Sequence, residues 1–109
     1  AGASGSGVFK AAAADKKMAI GVDSDQAKTA DASVRDVIIT SMVKNVDVAV
    51  FDYIKSATDG KTLSGPTVFG LKDDGVGYST TGGKIDDITD KLDDYKKQII
   101  DGKITVPAK

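Results

Sequence analysis

The sequence predicts an α/β fold, a mainly parallel sheet with flanking helices. Short apolar runs rich in β-branched residues alternate with segments whose apolar residues recur every three or four positions. A glycine-rich turn stands directly before the first helical segment, the arrangement that leads from a parallel strand into a helix. The first apolar run stops at an acid and the second at a lysine, as strands do where they leave a buried sheet.

The chain opens on Ala1-Gly2-Ala3-Ser4-Gly5-Ser6-Gly7 and passes into Val8-Phe9-Lys10-Ala11-Ala12-Ala13-Ala14, whose alanines favour helix. Ser4 or Ser6 is placed to cap it. The strand that normally precedes such a loop is missing, so the chain is expected to start inside a fold. Met18-Ala19-Ile20-Gly21-Val22 is too short for a helix and suits a strand buried on both faces, with Asp23 at its carboxyl end. Ser24 to Ala32 reads as a loop with room for a helical turn. Val37-Ile38-Ile39-Thr40-Ser41-Met42-Val43 reads as a second strand, closed by Lys44.

From Asn45 the period changes. Val46, Ala49, Val50, Tyr53, Ile54 and Ala57 share one helical face, expected to be packed, and Asp59-Gly60 stops the helix. Val68-Phe69-Gly70-Leu71 and Val76-Gly77-Tyr78, separated by Asp73-Asp74-Gly75, read either as two short strands around a turn or as one irregular crossing segment. Ile85, Ile88, Leu92, Tyr95 and Ile99 predict a last amphipathic helix, ended by Gly102. Ile104 and Val106, ahead of Pro107, read as a final short strand or an extended tail.

Composition removes whole classes of function. The 109 residues suffice for one hydrophobic core but not two, and 40% hydrophobic content is that of a folding chain rather than a disordered tail. Net charge is −1 with lysines and acids interspersed, which offers no footprint for nucleic acid or an anionic membrane. All sixteen acids are aspartates, Arg35 is the single arginine, and there is no cysteine or histidine. A Cys/His zinc site, a thiol nucleophile and a histidine-based triad therefore lack their atoms.

The glycine loop invites comparison with cofactor motifs, and its spacing disagrees. Neither G-x-G-x-x-G nor the dehydrogenase variant, with three residues between its first two glycines, fits Gly2-Ala3-Ser4-Gly5-Ser6-Gly7, and no Gly-Lys-Ser/Thr closes it as a P-loop. A tight strand-to-helix turn is the simpler reading, one that still leaves backbone N–H groups for a neutral ligand. Asp23 and Asp25 begin like a calcium loop, but Ala27 and Lys28 occupy positions where a ligand and a glycine are required. Asp23 is then either a solvated loop acid or a carboxylate placed where ligands of open α/β sheets collect, able to accept from adjacent sugar hydroxyls. Lys44 is either an ordinary surface lysine or a donor on the same edge, within reach of Asp23. The pairs Asp86-Asp87 and Asp93-Asp94 fall on the polar side of a surface helix, and no catalytic constellation is present.

Three stretches, Ala1 to Phe9, then Ala19-Ile20-Gly21-Val22-Asp23-Ser24-Asp25-Gln26, then Thr40 to Val50, closely resemble successive signatures of the basic membrane protein family in order and interval. The likeness continues through Val68-Phe69-Gly70-Leu71, Gly75-Val76-Gly77 and the segment from Lys97 to Pro107. It implies the C-terminal portion of a type I periplasmic-binding-protein fold, extracytoplasmic and either lipid-anchored or periplasmic. Such a two-lobed receptor captures a purine nucleoside or related ligand in the interlobe cleft and passes it to an ABC permease, without catalysis or cofactor.

By this resemblance Gly2 and Asp23 contact the ribose and Lys44 reaches the ligand at the hinge. Residues 1–43 and about 69–109 belong to the C-terminal lobe, and about 45–68 cross to the other lobe. Alone, the chain is expected to expose apolar surface and to associate with the rest of its protein or with itself. Two other readings stay open: a sensory or interaction module on the same binding fold without transport, and a cofactor-dependent α/β enzyme, which the mis-spaced glycines disfavour.

Overall fold

A computed structural model describes residues 2–107; Ala1, the first residue of the glycine-rich turn, lies outside it. Strands β1 (Ala19–Asp23), β2 (Ile38–Lys44) and β3 (Val76–Tyr78) form one sheet in that order. β1 and β2 are parallel, from Ala19 opposite Ile38 to Asp23 opposite Val43. β3 adds a shorter antiparallel ladder, from Met42 opposite Tyr78 to Lys44 opposite Val76. The expected α/β architecture is present, with the parallel pair as the larger part of the sheet.

Helix α1 (Gly5–Ala14) follows a 3-10 turn at Gly2–Ser4. Neither serine caps it: Ser4, at the cap position, makes no such bond, and the Ser6 hydroxyl donates instead to the Ala3 carbonyl at 3.2 Å. Two short helices, α2 (Gln26–Thr29) and α3 (Ala32–Arg35), carry the chain from β1 to β2 where a loop with a helical turn was expected. Asp31 starts α3 by accepting the Ser33 N–H at 2.8 Å. Phe9 of α1, Ala19 of β1, Ala27 of α2, Val34 of α3 and Ile38 of β2 close over one another as the core, with Ile38 fully buried. Each of these three helices and two strands contributes a buried side chain to it.

Within the sheet, Gly21 lies opposite Ser41. A Cβ at Gly21 would sit 2.4 Å from the Ser41 hydroxyl oxygen and 2.9 Å from the Gln26 side-chain oxygen. The glycine is therefore required by the polar groups packed over it rather than by its backbone angles.

The second half departs from expectation at α4 and α5, and between them decides a reading left open. Helix α4 (Val46–Thr58) forms as the periodicity predicts, but none of its residues is buried. Val46, Val50, Phe51, Tyr53 and Ile54 are each at least half exposed. The radius of gyration, 16.6 Å, exceeds the roughly 13 Å of a compact chain of this length, an elongation that fits an unpacked helix. Residues 68–71 are not a strand. The chain folds back on itself, the Gly75 N–H donating to the Gly70 carbonyl at 2.9 Å around a 3-10 turn at Leu71–Asp73. Gly75 presses so close to Phe69 that a Cβ would lie 2.4 Å from the Phe69 carbonyl oxygen. Finally, α5 (Thr89–Ile100) starts later than predicted: Ile85 is buried ahead of it, before a 3-10 turn at Asp86–Ile88.

Residues 104–107 form no strand. No helix among the described residues is long and apolar enough to cross a membrane.

The crowding at Gly21 has a measurable consequence. Gly21→Ala is expected to lower unfolding stability by about 1–3 kcal/mol in urea denaturation, as overpacking of a filled interior does. An unchanged midpoint would show that the space over β1 can accept a methyl group.

Candidate functional site

Because β1 and β2 run parallel, their carboxyl ends emerge on one edge of the sheet. Asp23 is the last residue of β1 and pairs with Val43, so the next residue of β2, Lys44, stands beside it. The Lys44 ammonium meets the Asp23 Oδ1 at 2.7 Å, and both side chains are more than half exposed. The hydrogen bond and charge of Lys44 hold the Asp23 carboxyl below its usual range, against a small opposing effect of desolvation. An exposed pair of this kind adds little to stability. It presents a carboxylate and a cationic donor side by side.

Gly2 reaches the same neighbourhood from the other side. With Gly5, Val8, Ile20, Val22, Asp23 and Gln26 it lines a hollow of about 300 Å³ between the start of α1 and the end of β1. Gly2 and Asp23 thus share a concave surface, while Lys44 joins through its pairing with Asp23 rather than by lining the hollow. The first residue of α1, Gly5, lines the same hollow. Among the described residues no cluster of acids suited to a metal ion is present.

Behind this edge lies a polar network that the sequence reading did not find. Ser41, fully buried in β2, accepts the Gln26 N–H at 3.1 Å and donates its own N–H to the Ser79 hydroxyl at 3.0 Å. Ser79 returns its N–H to the Ser41 carbonyl at 3.0 Å, and the Thr40 hydroxyl donates to the Ser79 carbonyl at 2.7 Å. Asp25, considered above only as a calcium ligand, instead accepts the Thr81 hydroxyl, the main reason its carboxyl is also held low. One signal was available: Thr40 and Ser41 interrupt a run of large apolar residues in β2, and a buried hydroxyl requires partners.

The fold defines a class before it defines a family. It aligns with an ABC transporter system solute-binding protein from Conexibacter woesei at a TM-score of 0.71 and 22% identity, over 94% of this chain and 34% of that one. It aligns with a transcriptional activator of the comK gene from Bacillus halodurans at 0.70 and 25% identity, over 88% and 33%. The chain is thus part of an α/β fold found in solute-binding proteins.

Within that class, it belongs to the Bmp family, described as "ABC transporter substrate-binding protein PnrA-like", whose model matches residues 1–109. Relatives agree. The CD4+ T-cell-stimulating antigen of Listeria monocytogenes and the ABC transporter nucleoside-binding protein BmpA of Lactococcus lactis are each 37% identical to it. All of this chain is covered in both alignments, but only 34% and 35% of those proteins. The chain spans about a third of the length of its curated relatives.

The Asp23 carboxyl is depressed in the folded state, so its pairing contributes above the ordinary carboxylate value near 3.8 and is lost as pH falls through the lower folded value. Carboxyl-carbon NMR titration is expected to place the Asp23 midpoint below 3.8 and to move it upward in Lys44→Met. A midpoint indifferent to Lys44 would dissolve the pair.

Proposed function

We propose that this chain is the C-terminal part of the ligand-capturing component of an ABC transporter, and that its ligand is a purine nucleoside or a close relative. The observation that carries this reading is the contact of Asp23 with Lys44 at 2.7 Å on the carboxyl edge of a parallel pair, next to the Gly2 hollow. An ion pair with no net charge suits a neutral, hydroxyl-rich ligand. The carboxylate accepts from one sugar hydroxyl and the ammonium donates to its neighbour. An anionic ligand would meet the Asp23 carboxylate at close range. The printed name of the Lactococcus lactis relative supports the nucleoside class.

In this reading residues 1–43 and about 69–109 belong to one lobe, and about 45–68 cross to a second lobe supplied by the rest of the protein. Helix α4, with its apolar residues uncovered, supports the crossing. Ligand binds between the lobes, closure buries it, and a membrane permease receives the closed form. The mechanism is closure without chemistry, at an extracytoplasmic location, with the receptor lipid-anchored or periplasmic.

A second reading has one observation in its favour, the structural likeness to a protein named as a transcriptional activator. There the same lobes sense a ligand without transporting it. Fatty-acid labelling of the complete protein separates the two, since a lipid anchor serves delivery to a permease.

Calorimetry of the complete protein with adenosine, guanosine and inosine is expected to show binding, weakened about ten- to a hundredfold by Asp23→Ala, the loss typical of a charge-assisted hydrogen bond. Undiminished affinity in that variant would remove the site. For the 109-residue chain alone, the uncovered α4 predicts concentration-dependent association in sedimentation, copies standing in for the absent lobe. A well-folded monomer at all concentrations would contradict the crossing.

A further inference from the structure

Asp23 holds a backbone conformation that side-chain-bearing residues rarely adopt, with φ at +73°. The chain reverses there in three residues, the Ser24 N–H donating to the Val22 carbonyl at 3.0 Å. A turn of this hand is strained for any residue but glycine and persists only where its surroundings hold it. Two other described residues besides glycine, Lys16 and Asp74, share a positive φ, and neither lies at the candidate site.

What holds Asp23 is Gln26. Its side-chain oxygen accepts the Val22 N–H at 2.8 Å, so both polar backbone groups of Val22 are committed, one to each side of the turn. The Gln26 N–H is fixed in turn to the Ser41 hydroxyl at 3.1 Å, and Ser41 is fully buried at the middle strand of the sheet. Residues 22–26 are therefore a loop closed at both ends. The chain has only Asp23, Ser24 and Asp25 in which to reverse, and the left-handed turn at Asp23 begins the reversal. Gly21 is the gap through which this brace reaches the sheet, since any Cβ there would strike both the Ser41 hydroxyl and the Gln26 side chain.

We propose that Gln26, anchored by Ser41, is a positioning residue that keeps Asp23 in its strained turn and so aims the carboxylate at Lys44 and at the ligand. The assignment rests on the reading of Asp23 as the group that grips a ribose. It makes Gln26 a determinant of ligand affinity through Asp23 rather than by contact. The energetic logic is preorganisation: the brace spares the ligand the cost of ordering the loop.

The test uses the complete protein and two ligands, a purine ribonucleoside and its 2′,3′-dideoxy analogue, which lacks the hydroxyls Asp23 would hold. Gln26→Met keeps the length of the side chain and removes its acceptor. It is expected to weaken the ribonucleoside about tenfold while changing the dideoxy analogue less than about twofold, a difference in the range of one coupled pair of interactions. Gln26→Glu, which retains an accepting oxygen, is expected to recover most of the loss. Equal weakening of both ligands would mean a direct contact or a general structural role, and no weakening would mean no brace; either overturns the proposal.

A second measurement needs no ligand. Asp23→Gly and Asp23→Ala both lose the carboxylate, but only glycine is at ease in the turn. The glycine variant is expected to melt higher than the alanine variant when Gln26 is present, and the gap to close in Gln26→Met. A gap that survives the loss of Gln26 overturns the brace. A gap that closes, in a protein that binds no nucleoside, leaves the brace standing and sinks only the ribose reading.

Discussion

Parallel pairing of β1 with β2 is the constraint from which the rest of the site follows. Parallel strands leave the sheet on the same edge, so Asp23 and Lys44 become neighbours although 21 positions separate them in sequence. Antiparallel pairing would have set the same two residues at opposite ends of the strands, roughly 15 Å apart at the rise of a five-residue strand. The parallel register also sets Gly21 against Ser41, the close approach through which α2 is fastened to the sheet. β3, running the other way, brings Ser79 alongside and gives the buried Ser41 backbone its remaining partners.

The first half of the chain was legible because its signals are local. Apolar runs bounded by charge gave β1 and β2 to within a residue at each end, and alanine content with the preceding glycines gave α1. The adjacency of Asp23 and Lys44 could be anticipated from strand direction alone. Gln26 could not: its importance arises from one hydrogen bond to Val22 and one to Ser41, fifteen residues on, and neither has a sequence pattern. The stretch 68–78 left two readings open, and of its two expected short strands only β3 forms. Val68 and Phe69 have strand propensity, but the chain closes on itself just beyond them, between Gly70 and Gly75. Ile85 fits the period of α5 yet is buried just outside it, because the Gly82-Gly83 turn redirects the chain before the helix begins.

Helix α4 shows the limit of periodicity in another way. A hydrophobic face at 3.6-residue spacing states that a helix has something to pack against, not that the partner lies in the same stretch of sequence. Here the helix forms, capped by backbone bonds at Asp59, and its face stays uncovered. Asn45, directly before it, is tied back to the return segment, its side-chain amide donating to the Asp74 carbonyl at 2.7 Å and its N–H to the Gly75 carbonyl at 2.9 Å. The departure of α4 from the sheet and the return of the chain to β3 are therefore pinned together at one point.

The strain at Asp23 and the pairing with Lys44 are best understood together. A glycine would adopt the turn without cost, and an aspartate elsewhere on the edge would pair with a lysine without strain. The chain has neither economy. It places a side chain with φ at +73° at the one position where its carboxylate meets both Lys44 and the hollow beside Gly2. Since the exposed pair adds little stability, it does not explain why the unfavourable conformation is retained. The bonds of Gln26 to Val22 and Ser41 lie in the half-buried interior, where hydrogen bonds are less contested by water, and are the brace proposed for it. On that proposal the interior sustains a conformation whose benefit appears only at the surface, where the carboxylate is held outward.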